Sequence, residues 1–202
     1  MRVLVGCERS GVVRDAFRAL GHNAISCDID PSDTPGPHHQ GDLLEYINVM
    51  QLGEGFFDLA ILHPPCTHLA VSGARWFKGK EDLQTDAIIF FFELVNANIP
   101  RIAIENPVGI MSTLYRKPDQ YIQPWEYGHE CTKKTCLWLK GLPKLKPTNI
   151  VGKGEFLTFR SGKRMSKWYS DKPFGGADRQ KLRAVTFSGW ADAMAQQWGN
   201  LE

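Results

Sequence analysis

Four short apolar runs recur along the chain, and each ends in a cluster of chemically capable residues. They are RVLVG (2–6), NAISCDID (23–30), FFDLAILH (56–63) and RIAIENP (101–107). The third run is almost continuously apolar, the pattern of a strand covered on both faces. Stretches of helical spacing separate the runs. Val13, Ala16, Phe17 and Leu20 recur at helical intervals over 12–20, with Gly21 as the stop. A second helix is predicted over about 81–98, where Ile88, Phe91, Phe92 and Val95 share a face, and a last one over 189–199. Shorter strands are predicted at 121–125 and 135–139, and the turn-rich stretch PSDTPGPHHQGD (31–42) reads as a loop. Strands alternating with helices predict an α/β doubly wound sheet with helices on both faces. In such sheets ligands bind beyond the carboxyl ends of the strands, so each strand end is a candidate site.

The first strand end reads GCERSG (6–11). It sits where a strand turns into a helix, yet it lacks GxGxxG, so it is either an ordinary βα turn or a cofactor contact. CDID (27–30) places Asp28 and Asp30 where carboxylates either accept bonds from ribose hydroxyls or lie in solvent. Asp42 either meets a cofactor amine or caps a helix. HPPC (63–66) is sharper, because two prolines stiffen the chain and present Cys66 at the sheet edge. Three fates are open to that thiol: nucleophile, zinc ligand or buried small hydrophobe. ENP (105–107) puts Glu105 after an apolar run, either to hydrogen-bond a heterocycle beside Cys66 or to bind backbone amides in a turn. For zinc there are two loose groups, His63, Cys66 and His68, and His129, Cys131 and Cys136. Neither has the spacing of a finger or ribbon.

Charge is unevenly placed. Residues 1–132 carry 10 Lys and Arg against 17 Asp and Glu, a net −7, while 133–202 carry 14 against 5, a net +9. The C-terminal third therefore suits a polyanion. Within it, Lys153, Arg160, Lys163, Arg164, Lys167 and Lys172 are interleaved with Phe156, Phe159, Trp168 and Tyr169. Five cysteines without a Cys-x-x-Cys pair point to free thiols in a reducing cytoplasm. The chain starts directly in a strand-like run, with no signal peptide expected. Its longest apolar stretches are too short to span a bilayer, so no membrane partner is expected.

Taken in order, these segments resemble the cytosine carbon-5 DNA methyltransferase family. PPCTHLAVSG (64–73) is similar to its nucleophile segment, IENP (104–107) to its Glu-Asn segment, and RSGVVRDAFRALGH (9–22) to its first turn and helix. CDID, GDL (41–43), KKTCLWL (133–139) and SGWADAMAQQW (188–198) resemble its later cofactor, base-proximal and C-terminal segments. The resemblance implies a Rossmann-like S-adenosylmethionine-dependent methyltransferase sheet, with Cys66 and Glu105 catalytic. It implies S-adenosyl-L-methionine as cofactor, held by Gly6, Cys7, Glu8, Ser10, Gly11, Asp28, Ile29, Asp42, His63 and Pro64. On the substrate side it implies Pro65, Ser72, Arg75, Asn106, Lys133, Lys134, Lys163 and Arg164, and it implies no metal. Trp76, Lys78 and Lys80 would belong to a loop that closes on the target.

The chain departs from the family at Thr67, where Gln is common, at Pro107 after the Asn, and at lysines 133 and 134, where arginines are usual. About 40 residues stand where the family carries a large target-recognition domain. The expected organisation is a catalytic domain over 1–146 and 184–202, with a small basic lobe over 147–183. The compact plan is phage-like. The expected partner is DNA, duplex or single-stranded, read with little sequence specificity by a monomer or weak dimer. Two alternatives remain at this level: a catalytically silent DNA-binding or partner subunit on the same scaffold, and a methylase of the free nucleotide dCMP.

Overall fold

Strand β1 (Arg2–Gly6) is the reference line of the molecule. The computed structural model describes residues 1–52, 57–71, 78–170 and 184–201. After β1 come helix α1 (Val12–Ala19), β2 (Asn23–Asp28), β3 (His38–Gln40), α2 (Leu43–Gln51) and β4 (Leu59–Leu62). Next are α3 (Glu81–Asn96), β5 (Ile102–Pro107), the single turn α4 (Met111–Leu114), β6 (Gln120–Ile122) and β7 (Thr135–Lys140). A hairpin of β8 (Phe156–Thr158) and β9 (Arg164–Ser166), the short α5 (Lys167–Ser170) and α6 (Ser188–Trp198) follow.

The main sheet has seven strands in the order β3-β2-β1-β4-β5-β7-β6. Strands β1 to β5 run parallel, and β7 lies antiparallel between β5 and β6. The chain moves outward from β1 through β2 and β3, then returns to lay β4 on the opposite side of β1. That reversal opens a crevice between the carboxyl ends of β1 and β4.

Side-chain alternation builds the two outer layers. Val3, Val5, Leu59 and Ile61 face one way, onto Val13 and Phe17 of α1 and Trp190, Met194 and Trp198 of α6. Leu4, Ala60, Leu62 and Ile104 face the other way, onto Leu43 and Ile47 of α2 and Phe91 and Leu94 of α3. All four residues of β4 are therefore buried, as an apolar run covered on both faces requires. In α3, Phe91 is fully buried and Ile88, Phe92 and Val95 pack beside it, as their spacing predicts. No helix among the described residues is long and apolar enough to cross a membrane.

Several local expectations change. Part of the stretch read as a loop forms β3, where His38 and His39 pair with Ser26 and Cys27. His38 Nδ1 lies 2.8 Å from the Ser26 hydroxyl, a side-chain contact that hydropathy does not reveal. The strand predicted at 121–125 stops at Ile122, and Pro124–Glu126 turn into a 3₁₀ segment, since proline has no N–H for a ladder. Leu20, expected on the buried face of the first helix, is half-exposed. Part of the basic stretch forms a separate two-stranded sheet, β8–β9.

The buried side of α1 also takes Arg14, which is fully buried. Its Nη1 donates to the Ser26 and Ser32 hydroxyls at 3.2 and 3.1 Å. Its Nη2 donates to Thr34 Oγ1 at 2.8 Å and the Pro35 carbonyl at 3.1 Å, and Nε donates to Asp15 at 2.7 Å. One side chain thus ties α1 to β2 and to the 32–35 loop. Arg14→Met would leave those acceptors unpaired, and removing one partner of a buried charged network costs roughly 3–5 kcal/mol. Urea unfolding should show that loss as a lower midpoint with unchanged far-UV circular dichroism before the transition.

Candidate active site

At the end of β1 the backbone turns sharply. Cys7 has φ 55, the left-handed region, and is alone among described non-glycine residues in having a positive φ. Strained backbone of this kind clusters at functional sites. Burial, followed by the charges of Asp28, Cys27 and Asp42, pushes the Cys7 thiol up, so it stays protonated. Gly6 is a packing glycine. A Cβ there would stand 2.7 Å from Leu62 Cδ2 and would also press on Leu43. Glu8 is buried, and its carboxylate accepts from the amides of Val13 at 2.7 Å and Arg14 at 3.2 Å. It caps α1, which starts from Gly11 in the left-handed region with no side-chain cap of its own. Ser10 Oγ donates to the same carboxylate. Burial raises the Glu8 carboxyl above its ordinary range, opposed by the His63 charge and the two helix amides.

Beyond β2, Asp28 Oδ1 accepts from the Asp30 amide at 3.0 Å, and Ile29 stands 75% exposed beside them. Arg9 reaches across to Asp33 at 3.1 Å and Asp30 at 3.8 Å. Asp42 caps α2 by accepting from the Glu45 amide at 2.8 Å.

The ends of β4 and β5 are joined side chain to side chain. Their ladder pairs Leu62 with Ile104. One step on, His63 Nδ1 meets Glu105 Oε2 at 3.0 Å. The Asn106 amide donates to the Pro64 carbonyl at 2.7 Å. Pro65 and Thr67 are exposed, and Cys66 is half-buried. The Cys66 carbonyl accepts from the amides of Leu69 and Ala70 at 3.0 and 2.9 Å, so the thiol sits at the head of a tight turn. That turn is clamped from below. Ala70 bridges Gly109, Ile110 N donates to Leu69 O, and a Cβ on Gly109 would collide with the Leu69 carbonyl. Gln84 of α3 donates to the His68 carbonyl at 3.0 Å.

Glu105 is almost fully buried. Burial alone would raise its carboxyl. The hydrogen bond to His63, the nearby Lys133 ammonium and the His63 charge outweigh that and hold it below the usual range. Lys133 also lies over the rings of Phe187 and Trp190 at 5.7 and 5.8 Å, which places its charge above the α6 layer. Lys134 lies over Tyr121 at 4.0 Å. Lys163 and Arg164 are exposed on the hairpin, with Arg164 over Phe156 at 4.6 Å. Ser72, Arg75 and Trp76 lie outside the described residues.

Of the residues predicted to act together, the structure therefore joins His63, Pro64, Glu105, Asn106 and Lys133. It turns Gly6, Glu8 and Asp42 toward packing and capping contacts. Asn106 is 2% exposed, and its side-chain amide donates to the Pro64 carbonyl. His63 is joined to Glu105, where a cofactor contact was expected. Among the described residues no three His, Cys, Asp or Glu side chains gather to hold a metal ion. Instead, His129 Nε2 accepts from the Gly189 amide at 3.0 Å and caps α6. A cavity of about 340 Å³ lies between α2 and α3, and none of its lining residues comes from the strand ends.

The sheet order and the helical layers define the class of fold, a Rossmann-like α/β sheet similar to that of a solved methyltransferase. The solved structure that carries this likeness is described as a DNA modification methyltransferase encoded within an E. coli prophage. It superposes with a TM-score of 0.53 at 17% identity, covering 75% of this chain and 52% of its own. The chain thus spans about half the length of that neighbour. An Entamoeba histolytica methyltransferase follows at TM-score 0.47 and 13% identity, over 77% of this chain and 57% of its own. A SAM-dependent methyltransferase from Neisseria gonorrhoeae follows at 0.40 and 14%, over 68% and 60%. At such identities the likeness is one of fold. No protein-family model and no curated protein matches the chain.

The Glu105 environment generates a pH prediction. Its folded value lies below the unfolded one, near 4.5. It therefore contributes stability above that pH, and the contribution is lost as pH falls through the lowered folded value. Unfolding free energies of the wild type and Glu105→Gln, measured from neutral pH into acid, should converge as pH drops below about 4.5. A gap that stays constant across the range would mean that the folded protein does not favour the carboxylate.

Proposed function

We propose that the protein transfers a methyl group from S-adenosyl-L-methionine to carbon 5 of cytosine in DNA, through a covalent adduct of Cys66. The observation that carries this reading is a half-buried cysteine on a braced turn after β4, three residues beyond His63, whose ring meets the buried, ionised Glu105 at the end of β5. The residues beyond β1 and β2 fit a nucleoside-bearing cofactor. Cys7 turns through the left-handed region at the end of β1, Asp28 offers a carboxylate for hydroxyls, and exposed Ile29 offers an apolar surface for a base. When bound, S-adenosyl-L-methionine supplies an electrophilic methyl group.

The chain's own residues then deal with a ring too unreactive at carbon 5. The Cys66 thiolate adds to carbon 6, forming an S–C bond and moving the ring electrons toward carbon 5. N3 takes a proton from solvent water and Glu105 accepts the hydrogen bond from that N3–H; the proton returns to solvent when the adduct eliminates. After methylation, loss of the carbon-5 proton to a base breaks the S–C bond and returns the electron pair to Cys66. Such covalent catalysis divides one hard step into easier ones. In a duplex the target base must first leave the stack, at a cost of a few kcal/mol.

Residues 147–183 serve in this reading as the nucleic-acid lobe, acting with neighbouring basic side chains. Lys134 over Tyr121, Lys153 over Trp125 and Arg164 over Phe156 set cations beside aromatic rings. Phosphate contacts with base stacking grip single strands without reading sequence. The protein would work in the cytoplasm as a monomer or weak dimer.

Two experiments test the reading. Tritiated methyl transfer to duplex DNA, single-stranded DNA, RNA and dCMP, followed by nucleoside mass spectrometry, should give 5-methylcytosine in DNA. Cys66→Ala should abolish it while calorimetry shows cofactor affinity within about twofold of wild type. Full activity in that variant ends the covalent mechanism, and no cofactor binding by the wild type favours the silent scaffold. Separately, DNA affinity should fall steeply with salt. The double variant Lys163→Ala, Arg164→Ala should flatten the log–log slope by roughly 1 to 2. Salt-insensitive turnover of dCMP would instead make the free nucleotide the substrate.

A further inference from the structure

We infer that His63 is a positioning residue for Glu105, aiming the carboxylate that the proposed reaction requires, and is not a cofactor contact. The inference rests on the reading of Cys66 and Glu105 as the reacting pair. His63 is the first residue past β4, and its amide still donates to the Gly6 carbonyl at 2.9 Å, so β1 fixes its backbone. Its side chain is 11% exposed, as is that of Glu105. A carboxylate only accepts hydrogen bonds, so the 3.0 Å contact requires the proton on Nδ1. The ring therefore holds one particular carboxylate oxygen in one direction.

The rest of the ring's surroundings sets this histidine apart from one satisfied in a core. Nε2 is buried with no hydrogen-bond partner among the described residues. Glu8 on the β1 side feels the His63 charge, and Glu105 on the β5 side feels both His63 and Lys133. Four ionisable side chains, Glu8, His63, Glu105 and Lys133, thus couple in series along the carboxyl ends of β1, β4 and β5 and the amino end of the antiparallel β7. Unsatisfied buried polar atoms are rare and point to function when they sit in such a row. Glu8 is already spent on the amides of α1, so the part of the row that can steer a substrate-facing group is His63 on Glu105.

The choice of substitutions separates positioning from mere packing. Asn places an amide N–H close to where Nδ1–H stands, whereas Gln reaches toward the Nε2 position and Ala offers neither. His63→Ala and His63→Gln should lower kcat by about 10- to 100-fold, with KM for S-adenosylmethionine within about twofold of wild type, and His63→Asn should recover much of the loss. In Glu105→Ala, adding His63→Ala should cost little more, because the two residues act as a unit. Weakened cofactor affinity with unchanged kcat would overturn the inference and make His63 a cofactor contact. Additive losses in the double variant, or no advantage of Asn over Gln, would also overturn it. Long-range ¹H–¹⁵N spectra of the wild-type imidazole supply a readout that needs no turnover. A proton on Nδ1, in the neutral or the charged ring, supports the pairing, and a neutral Nε2–H tautomer refutes it. If the wild type methylates nothing, the proposed function fails while the spectra still decide the pairing.

Discussion

The parallel pairing of β4 with β5 is the constraint on which the site depends. Its register sets Leu62 against Ile104, and so carries His63 to Glu105 and Pro64 to Asn106. Pro64 and Pro65 have no N–H, so the ladder cannot continue past β4. The Pro64 carbonyl still needs a donor, and Asn106 supplies it. Side chains thus take over where backbone bonding ends, and they deliver Cys66 on a turn clamped against Gly109. A slip of one residue would move every side chain of β4 to the opposite face. The four fully buried residues of that strand make the slip prohibitive.

Much of this plan was legible in the residues. The apolar runs fell at β1, β2, β4 and β5, and the α3 face followed its spacing, because burial on two sides leaves a plain hydropathy signal. The candidate site was legible as a set of strand ends, since Cys66 and Glu105 follow apolar runs directly. What stayed hidden depends on contacts between residues distant in sequence. Strand β3 consists of two histidines and a glutamine, polar residues held by Ser26 and an edge position. Arg14 looks like an ordinary helix charge until Ser26, Ser32 and Thr34 close around it. Gly6 resembles a cofactor glycine, but the space of its missing side chain is taken by Leu43 and Leu62. The His63–Glu105 bond spans 42 positions and follows only from the register of the two strands.

The same logic separates the two halves of the charge pattern. In the first half, acids are used up in structure: Glu8 caps α1, Asp42 caps α2, and Asp15 holds Arg14. Among the described residues of the basic stretch, Lys133, Lys134, Lys153 and Arg164 lie over ring faces. Lys167 is paired with Glu155. A surface of cations held over rings keeps its charge available to a polyanion. In the proposed function such a surface would grip backbone and bases broadly, without reading sequence.

The charge state of Glu105 bears on the order of events in the proposed reaction. A carboxyl pushed up by burial would act as an acid and hand its proton to N3. Here His63 and Lys133 overcome burial, so Glu105 enters as an acceptor. It then accepts a hydrogen bond from N3–H once the ring has taken a proton from solvent water, and so favours the protonated ring to which the Cys66 thiolate adds. That stabilisation grows along the reaction and is small for the neutral base, which is the condition for lowering the barrier and not merely binding substrate. It also demands that the carboxylate be aimed before the base arrives, since a freely rotating one would lose that advantage to reorganisation. The contacts of His63, fixed by β1 through its amide and by β5 through its ring, meet that demand.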